Sequence, residues 1–537
     1  MLECRYEQVK TTQILAEDEQ VVTLEGELYL PEDYRELQKI YSSWGYLGEV
    51  RGEVDGKSLS LYGQVEAHLA YEGRTQEEES QEYGYSWQGA NAINFTEKMA
   101  LPEIPVGQIA EWGWDADLIS FSLEASSERK VKYNAELSVR IRAGAEKTLT
   151  FLNNIETEAR IETVKERIVL EELVASPKGS KEVSNQYQLS YPKAPIARII
   201  GSNAKPVGVK SIVSRGRVTI EGFVEINMVY VSLDAEGEEN GVKAVNWNQQ
   251  NGGAIPFQIV LEEPRAQVEQ VAFAKVWVES LVLTYPHPEV CRVQTILGAK
   301  ADLINPRPVQ ALMEASAEEE IIDVLRQDCE VEEIVGEAEK VLRIEKSLTL
   351  PTDSLNLEEI LMVSASRPKV IECQTDVERV FLEGEVYLSL LYLGEGETDV
   401  ALVNMFWGPR SVDKVVFGEF IELPGVENGM SASVHLIEDG IDLEILDERT
   451  VQVNITYRAR VTVKAKRKLS LIRDCALVTE DDQPKPSMLF YLVQKGDILW
   501  KVARRYNTTM NAIAEANNIT AGEELVEGTK LLIPKKR

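Results

Sequence analysis

The chain has 537 residues, of which 44% are hydrophobic, and its formal net charge is −32. This length exceeds what a single hydrophobic core supports, so several domains are expected. The strong negative charge argues against nucleic-acid and anionic-lipid partners, because an acidic surface repels phosphate.

Neither a secretory leader nor a membrane span is predicted. The N-terminal sequence has no apolar segment of the kind that a signal peptide needs. No run in the chain approaches the roughly 20 apolar residues of a transmembrane helix. The five cysteines are dispersed and form no C-x-x-C pair, which is typical of reduced thiols in a cytoplasm. We therefore expect an intracellular protein without direct membrane insertion.

Three segments of the chain align without gaps, at 58–73, 217–232 and 379–394. Each has apolar residues at alternating positions, a central glycine and a tyrosine near its end; these residues are Gly63, Gly222 and Gly384, and Tyr71, Tyr230 and Tyr392. The alternation predicts strands with one buried face. A glycine inside a strand predicts a bulge or a close approach of the backbone.

A second pair of matching segments, 128–149 and 448–469, keeps nearly the same spacing along the chain. A proline before each glycine segment predicts one short helix or turn per copy. We therefore predict a mainly β protein with three homologous, sandwich-like domains, whose bounds are 15–150, 165–303 and 330–470. The acidic segment 307–339 is compatible with a helix that leads into the third domain, and 474–489 is predicted to be an acidic, proline-containing linker.

The residues of this β-rich part show no pattern typical of catalysis. Its histidines, His68, His287 and His435, are not paired with a nucleophile at any recognisable spacing, and no nucleotide-binding, hydrolase or metal motif is present. His68 is expected on the exposed face of a strand. The abundant carboxylates are interpreted as surface charge rather than as a glycosidase pair, since no feature marks a desolvated site. The sequence thus predicts no enzyme, no cofactor and no metal.

Tryptophans occur at comparable places in the three copies. We interpret them as anchors that hold loops against the core, with a shared ligand platform as the alternative; they are Trp112 and Trp114, Trp247, and Trp407.

The segment 490–534 predicts a strand, two helices and a closing strand. Gly496 permits a turn after the first strand, and Asp497 is predicted to be the N-cap of the first helix. The residue pattern resembles a LysM domain, through Tyr491, Val493, Gly496, Asp497, Leu499, Trp500, Val502, Ala503, Tyr506, Asn517, Leu525, Gly528, Leu531, Ile533 and Pro534. The fold class predicted for the whole chain is therefore three β-rich domains followed by a small βααβ domain.

The resemblance implies a shallow groove between the loop after the first strand and the loop after the second helix. The candidate binding residues in and beside these loops are Gly496, Asp497, Ile498, Leu499, Trp500, Asn518, Ile519 and Thr520. Ile498 stands where the family usually has threonine, so weak binding of chito-oligosaccharides and an apolar protein contact are predicted. The alternative is that Ile498 and Ile519 close the small core. Basic residues nearby suit an acidic partner.

Repeated β-rich domains followed by a LysM domain resemble the spore coat morphogenetic proteins of the SipL/SpoVID type. The resemblance implies a non-enzymatic coat-assembly adaptor in the mother-cell cytoplasm, at the forespore surface. Its implied partners are the coat basement-layer ATPase, which is SpoIVA-like, and other coat proteins. The alternative function is a peptidoglycan- or glycan-binding protein, or an accessory of a wall hydrolase.

Overall fold

The computed structural model describes residues 3–74, 80–156, 161–317, 322–365, 368–395, 400–408, 411, 413–477, 486–506 and 508–536. The predicted fold class is confirmed, since the chain is mainly β and ends in a βααβ unit. Among the described residues, no helix has the length and apolar composition needed to cross a membrane.

We call the three β-rich parts modules 1, 2 and 3. The strands of module 1 are β1 (Glu3–Tyr29), β2 (Leu37–Leu47), β3 (Arg51–Asp55), β4 (Ser58–Arg74), β5 (Ser80–Trp87), β6 (Ile93–Ala100), β7 (Glu111–Ser127) and β8 (Lys130–Glu156), with a 3₁₀ turn at Gly89–Asn91.

Modules 2 and 3 follow the same chain path, with some strands of module 1 divided or merged. Module 2 contains β9 (Ile161–Ala175), β10 (Lys178–Gln188), β11 (Ile196–Ser214), β12 (Arg217–Leu233), β13 (Glu239–Trp247), β14 (Ile255–Glu262), β15 (Val271–His287) and β16 (Val290–Ala317). Module 3 contains β17 (Ile322–Thr349), β18 (Asn356–Ala365), β19 (Lys369–Asp376), β20 (Arg379–Val386), β21 (Leu388–Glu395), β22 (Val400–Trp407), β23 (Val415–Glu422), β24 (Ser431–Asp447) and β25 (Thr450–Leu477).

The βααβ domain consists of β26 (Pro486–Leu492), α1 (Leu499–Arg505), α2 (Met510–Asn517) and β27 (Lys530–Lys536). Its two strands pair antiparallel, and its core is separate from those of the modules.

Each module is a sandwich of two β layers, and in module 3 one of these layers is divided into two three-stranded sheets, β18–β21–β22 and β19–β20–β23. In module 1, β8 pairs with β1 and β7 to form one sheet, and β4 pairs with β2, β3, β5 and β6 to form the other. The apolar residues alternate along β8 at Val131, Leu137, Val139 and Ile141, so one face of this sheet packs on β4. The alternation read from the sequence therefore corresponds to the buried faces of the sandwich.

The three central glycines occupy equivalent positions on β4, β12 and β20. Each lies opposite a phenylalanine on the neighbouring strand, in the pairs Gly63–Phe95, Gly222–Phe257 and Gly384–Phe417. A Cβ atom added at any of these glycines would come closer than 3.0 Å to the phenylalanine ring. The glycines are therefore required by the aromatic ring that covers them.

The three tyrosines also make one repeated contact. Each is buried, and its hydroxyl donates to a backbone carbonyl. The acceptor lies in the turn that precedes β2 in module 1, β11 in module 2 and β18 in module 3. The donor–acceptor pairs are Tyr71 to Arg35 at 3.0 Å, Tyr230 to Ala194 at 3.0 Å and Tyr392 to Leu355 at 3.1 Å. The prolines that precede these segments thus belong to turns, and no helix is present there in the described residues.

The long strands continue past the predicted domain bounds and form a structure that we call the ribbon bundle. Module 1 contributes residues 3–14 with 144–156, module 2 contributes 161–175 with 303–317, and module 3 contributes 322–334 with 464–477. A bulge or strand break separates each ribbon from its sandwich. The segment 307–339, in which the sequence is compatible with a helix, is strand over its described parts, 307–317 and 322–339.

The ribbon bundle has its own apolar core, to which all three modules contribute. Its central cluster combines Val9, Leu149 and Phe151 from module 1 with Ile168, Leu170, Val309 and Ala311 from module 2, and Cys329, Val331, Leu469 and Leu471 from module 3. A two-stranded ribbon cannot bury both of its faces alone, so each ribbon depends on the other two.

The sandwiches also contact one another in a closed cycle. Strand β5 of module 1 contacts β11 of module 2, β13 contacts β18 of module 3, and β22 contacts β2 of module 1. A buried cluster joins all three, with Tyr41, Ala70, Ile200, Val229, Val231, Val242, Leu361, Met362, Leu391 and Leu402. Because the same strands are used at each contact, the three modules are arranged with approximate three-fold symmetry within one chain.

The predicted linker 474–489 is shorter in the structure than in the sequence interpretation. Residues 474–477 continue β25, and residues 486–489 already belong to β26. The segment between them lies outside the described residues.

Candidate functional site

The first loop of the βααβ domain is held by Asp497. Its carboxylate accepts hydrogen bonds from the hydroxyl of Tyr491 at 2.6 Å and from the backbone N–H of Gln494 at 2.8 Å. These bonds favour the ionised form and lower the pKa of Asp497. Gly496 has a φ of +84°, in the left-handed region that glycine adopts without strain. Asp497 therefore closes the turn, and the prediction that it caps α1 was wrong.

Ile498 occupies the N-cap position of α1 and offers no side-chain hydrogen bond to the helix. Its side chain is 53% exposed, whereas the next residue, Leu499, is 3% exposed and lies in the core. The alternative in which Ile498 closes the core is therefore excluded for this residue. An apolar side chain is presented to solvent at the start of the helix.

The second loop follows α2 and is organised by its backbone. Asn518 is the left-handed C-cap, with a φ of +53°, and the backbone N–H of Ile519 donates to Ala514 at 3.0 Å. Ile519 is half-buried against the domain core, which also contains Leu499. Thr520 is exposed, and its backbone N–H donates to the Glu523 carboxylate at 3.0 Å. Both loops thus rest on one core, and Ile519 packs against that core while Ile498 does not.

Two further polar residues hold the helices in place. Thr509 caps α2 by accepting from the backbone N–H of Ala512 at 3.1 Å. Asn517 donates to the carbonyls of Ile513 and Leu532 and accepts from the N–H of Leu532, each at 2.7 Å. Asn517 therefore fixes α2 to β27, which positions the second loop.

Trp500 lies on a face of α1 that contacts the ribbon bundle. Its indole N–H donates to the hydroxyl of Ser316 on β16, and Arg504 one turn later pairs with Glu314 of the same strand. The guanidinium of Arg504 lies 5.2 Å from the Trp500 ring centroid. Trp500 is thus separated from the exposed loop residues by its contact with module 2.

The sheet of this domain exposes apolar side chains that sequence reasoning missed. Phe490 and Leu492 alternate with the core residues Tyr491 and Val493, and both are more than half exposed. The ammonium of Lys530 lies 4.0 Å from the Phe490 ring centroid. The alternation along β26 was the available signal, because residues between core positions of a strand point to the opposite face.

The histidines of the modules do not form a site. His68 is 2% exposed and lies between the rings of Trp44 and Tyr46, so its predicted exposure was wrong. Its Nδ1 atom is 2.8 Å from the hydroxyl of Ser86, and burial lowers its pKa to about 3. The neighbouring module covers this strand face, as shown by the hydrogen bond of 3.2 Å from Tyr46 to Asn203.

The other two histidines make local contacts. His287 accepts from the backbone N–H of Glu289, and His435 lies 3.1 Å from the carbonyl of Ala274. In the described part of the chain, no group of three or more His, Cys, Asp or Glu residues is arranged to hold a metal ion.

The prediction that tryptophans occupy comparable places in the three copies named the wrong residues in module 1. Trp247 and Trp407 end β13 and β22 and are buried, and the residue at the same position in module 1 is Trp87, at the end of β5. Trp112 and Trp114 belong to β7 instead. The ring of Trp247 stacks on Tyr187 with the centroids 4.1 Å apart, which fits an anchor in the core.

Comparison with known proteins identifies one family in this chain. No curated protein and no solved structure shows significant similarity to the chain. The family model of the LysM domain matches residues 491–534, which include both loops, both helices, the end of β26 and most of β27. Residues 491–534 form a LysM domain.

Proposed function

We propose that this protein is a non-enzymatic assembly adaptor of the endospore coat. In this proposal the three modules are copies of one domain and form a scaffold, and the LysM domain docks on a coat basement-layer ATPase of the SpoIVA-like class. The site of action is the forespore surface, on the mother-cell side. Other coat proteins would bind the surfaces of the modules.

The observation that carries the proposal is the exposure of Ile498 in the first loop of the LysM domain. LysM domains typically bind peptidoglycan or chitin-like glycans, and such ligands present hydroxyl and N-acetyl groups that need hydrogen-bonding partners. The Ile498 side chain offers none. An exposed apolar residue surrounded by polar groups is instead common at the centre of a protein interface.

The charge around Ile498 supports an acidic protein partner. Lys495, Lys501 and Arg505 are exposed on the first loop and on α1, whereas Arg504 is paired with Glu314. Exposed cations near an apolar contact accelerate encounter with an acidic surface and add specificity.

The modules support a scaffold rather than an enzyme. The repeated tyrosines Tyr71, Tyr230 and Tyr392 donate to backbone carbonyls. Trp247 stacks on Tyr187 in the core, and His68 is held neutral by burial. The closed cycle of modules gives one body to which the LysM domain is tethered. Tethering raises the effective concentration of the LysM domain, so modest affinity at its groove is sufficient.

Peptidoglycan binding is the second candidate. It is favoured by the second loop, where Asn518 and Thr520 are exposed polar residues beside Ile519. A sugar could be bound by these groups even though Ile498 contributes only an apolar contact.

The experiment that separates the two functions uses the full chain and the substitution Ile498→Arg. Because Ile498 is exposed, the thermal transition should stay within a degree or so of the wild type, roughly the scatter of a neutral surface change. Capture of the basement-layer ATPase should fall by about tenfold or more, as expected for loss of an interface hot spot. The matched control is Leu492→Arg, which places the same charge on an equally exposed apolar site of β26.

Two results would contradict the coat-adaptor proposal. One is wild-type capture of the ATPase by Ile498→Arg, and the other is retention of the wild-type chain on purified peptidoglycan together with no capture of the ATPase. The second result would support the glycan-binding function.

A further inference from the structure

Two cysteines that are far apart in sequence meet at the end of the ribbon bundle. Cys4 lies near the start of β1, and Cys475 lies near the end of β25. Their sulfur atoms are 3.3 Å apart. The neighbouring residues reinforce the contact, because the hydroxyl of Tyr6 donates to the carboxylate of Asp474 at 2.8 Å.

The two cysteines belong to different ribbons. Cys4 pairs with Ile155 of module 1 and Cys475 pairs with Val324 of module 3, so their contact joins two modules. The surrounding cluster again draws on all three modules, with Leu152, Ile155, Leu312, Ile322, Ile472 and Cys475 buried and Cys4 packed against them.

The distance between the sulfurs is short for two thiols and needs little change to become a bond. A disulfide has a length of about 2.05 Å, so the sulfurs would have to approach by roughly 1.2 Å. Among the five cysteines, all of which are described, no other two sulfurs are in contact. Cys291 contacts the sulfur of Met228 and not a thiol.

We propose that Cys4 and Cys475 are a disulfide-forming pair, which a small-molecule disulfide oxidises to lock module 1 to module 3 at the end of the ribbon bundle. Cys4 is half-buried and reacts first, whereas Cys475 is 8% exposed and resolves the intermediate. This inference does not depend on the proposed function.

The chemistry balances with oxidised glutathione as the oxidant. The Cys4 thiolate attacks one glutathione sulfur, the glutathione disulfide bond breaks, and one glutathione thiolate leaves and takes up a proton. Cys475 then loses its proton to solvent and attacks the Cys4 sulfur, which releases the second glutathione thiolate. Two protein thiols are oxidised to one disulfide, and one oxidised glutathione is reduced to two thiols.

Burial of Cys475 affects the rate of the second step. In the reduced protein, burial first, then the Cys4 thiol and the Asp474 carboxylate, raise the pKa of the Cys475 thiol to about 12. Burial still raises this pKa once Cys4 carries glutathione, so only a small fraction of Cys475 is thiolate near neutral pH. Because the reactive species is the thiolate, closure should accelerate by roughly tenfold for each pH unit between pH 7 and 9.

The disulfide between Cys4 and Cys475 would restrict local opening at the first and last strands of the β-rich part of the chain. The disulfide ties the first strand of module 1 to the last strand of module 3, so these two ribbons can no longer separate at this end. It also fixes the strand that precedes the LysM domain. Amide hydrogen exchange at the ends of β1 and β25 should slow by roughly tenfold, since local opening would now require breaking a covalent link.

The test is incubation of the folded full chain with oxidised glutathione, followed by alkylation of free thiols, intact-mass measurement and non-reducing peptide mapping. The expected product has lost two hydrogens, and its principal cross-link joins the Cys4 and Cys475 peptides. Cys475→Ser should stop at the Cys4–glutathione adduct, and Cys4→Ser should form no cross-link. Cys373→Ser is the matched control and should close at the wild-type rate.

Three outcomes would overturn the proposal. The wild-type chain could stop at a glutathione adduct, it could cross-link between two chains, or its cross-link could involve Cys291, Cys329 or Cys373. Because the primary measurement is made on the wild-type chain, a folding defect in a variant does not affect it.

Discussion

The sandwich of module 1 and the ribbon bundle are both apolar cores of β-strands, but they are assembled from different parts of the chain. The sandwich core runs from Leu24 to Ile141 and is built within one module. The bundle core combines residues as distant as Val9 and Leu471. A sandwich can therefore form from one repeat, whereas the bundle requires all three.

This difference predicts two kinds of response to mutation. Two residues allow a fair comparison, because Leu61 in the sandwich and Phe151 in the bundle are each 1% exposed. Removing either one leaves a cavity. The increase in local opening should stay within module 1 when Leu61 is truncated. It should spread to modules 2 and 3 when Phe151 is truncated.

The largest expected effect is that of Phe151→Ala. Loss of a buried phenylalanine costs about 3–5 kcal/mol of unfolding free energy. Amide hydrogen exchange, measured by mass spectrometry, should increase in β9, β17 and the end of β25 as well as in β8, because these strands share the bundle core.

The control for this variant is Leu61→Ala, with a cost of roughly 2–5 kcal/mol. Its increased exchange should be confined to module 1. If Phe151→Ala also affected only module 1, the ribbons would be independent and the comparison would fail.

A smaller loss of unfolding free energy is expected for substitution of the central glycine of a sandwich. Gly222→Ala places a methyl group closer than 3.0 Å to the ring of Phe257, so the ring must move, at a cost of about 1–3 kcal/mol. Chemical denaturation measures the loss. Exchange in the ribbon bundle should be unchanged, since neither residue belongs to its core.

Gly113→Ala is the matched control, because a Cβ atom there meets nothing within 4 Å. Its cost should stay below about 0.5 kcal/mol. Equal losses for the two variants would show that the phenylalanine ring is not the reason for the glycine.

The smallest expected effect is that of Tyr230→Phe. The substitution removes the hydrogen bond to the carbonyl of Ala194 and leaves the ring in place, at a cost of about 0.5–1.5 kcal/mol. The same change at Tyr71 and at Tyr392 should have a similar cost, because each makes the equivalent bond.

Tyr62→Phe is the control for this series, since Tyr62 is exposed on the same strand as Tyr71. Its unfolding free energy should match the wild type. A marked difference among the three buried tyrosines would mean that the sandwiches are not equivalent in energy.

Much of the local structure could be predicted from the sequence. Alternating apolar residues identified strands. The three central glycines predicted a bulge or a close backbone approach, and the structure shows that a phenylalanine side chain covers each of them. The LysM pattern located two helices between paired strands. These features depend on residues that are near in sequence or on short periodic patterns.

Two predictions failed, one about the burial of a side chain and one about the hydrogen-bond partner of a side chain. His68 was placed on an exposed face because the aligned residues of the other two copies are polar, but Trp44 and Tyr46 enclose it at the contact with module 2. Asp497 was predicted to cap a helix, but the hydroxyl of Tyr491 holds it in the preceding turn. The partners that bury His68 lie on β2 and in module 2, and the partner that holds Asp497 lies on β26.

The sequence by itself determined the strands, their buried faces and the LysM domain, because backbone preference and a period of two act over a few residues. Only the tertiary structure decided that the outer strands of three modules form one bundle. Only it brought Cys4 to within 3.3 Å of Cys475. Periodicity shows that a strand has an apolar face, but the partner that covers this face is selected by packing among distant segments.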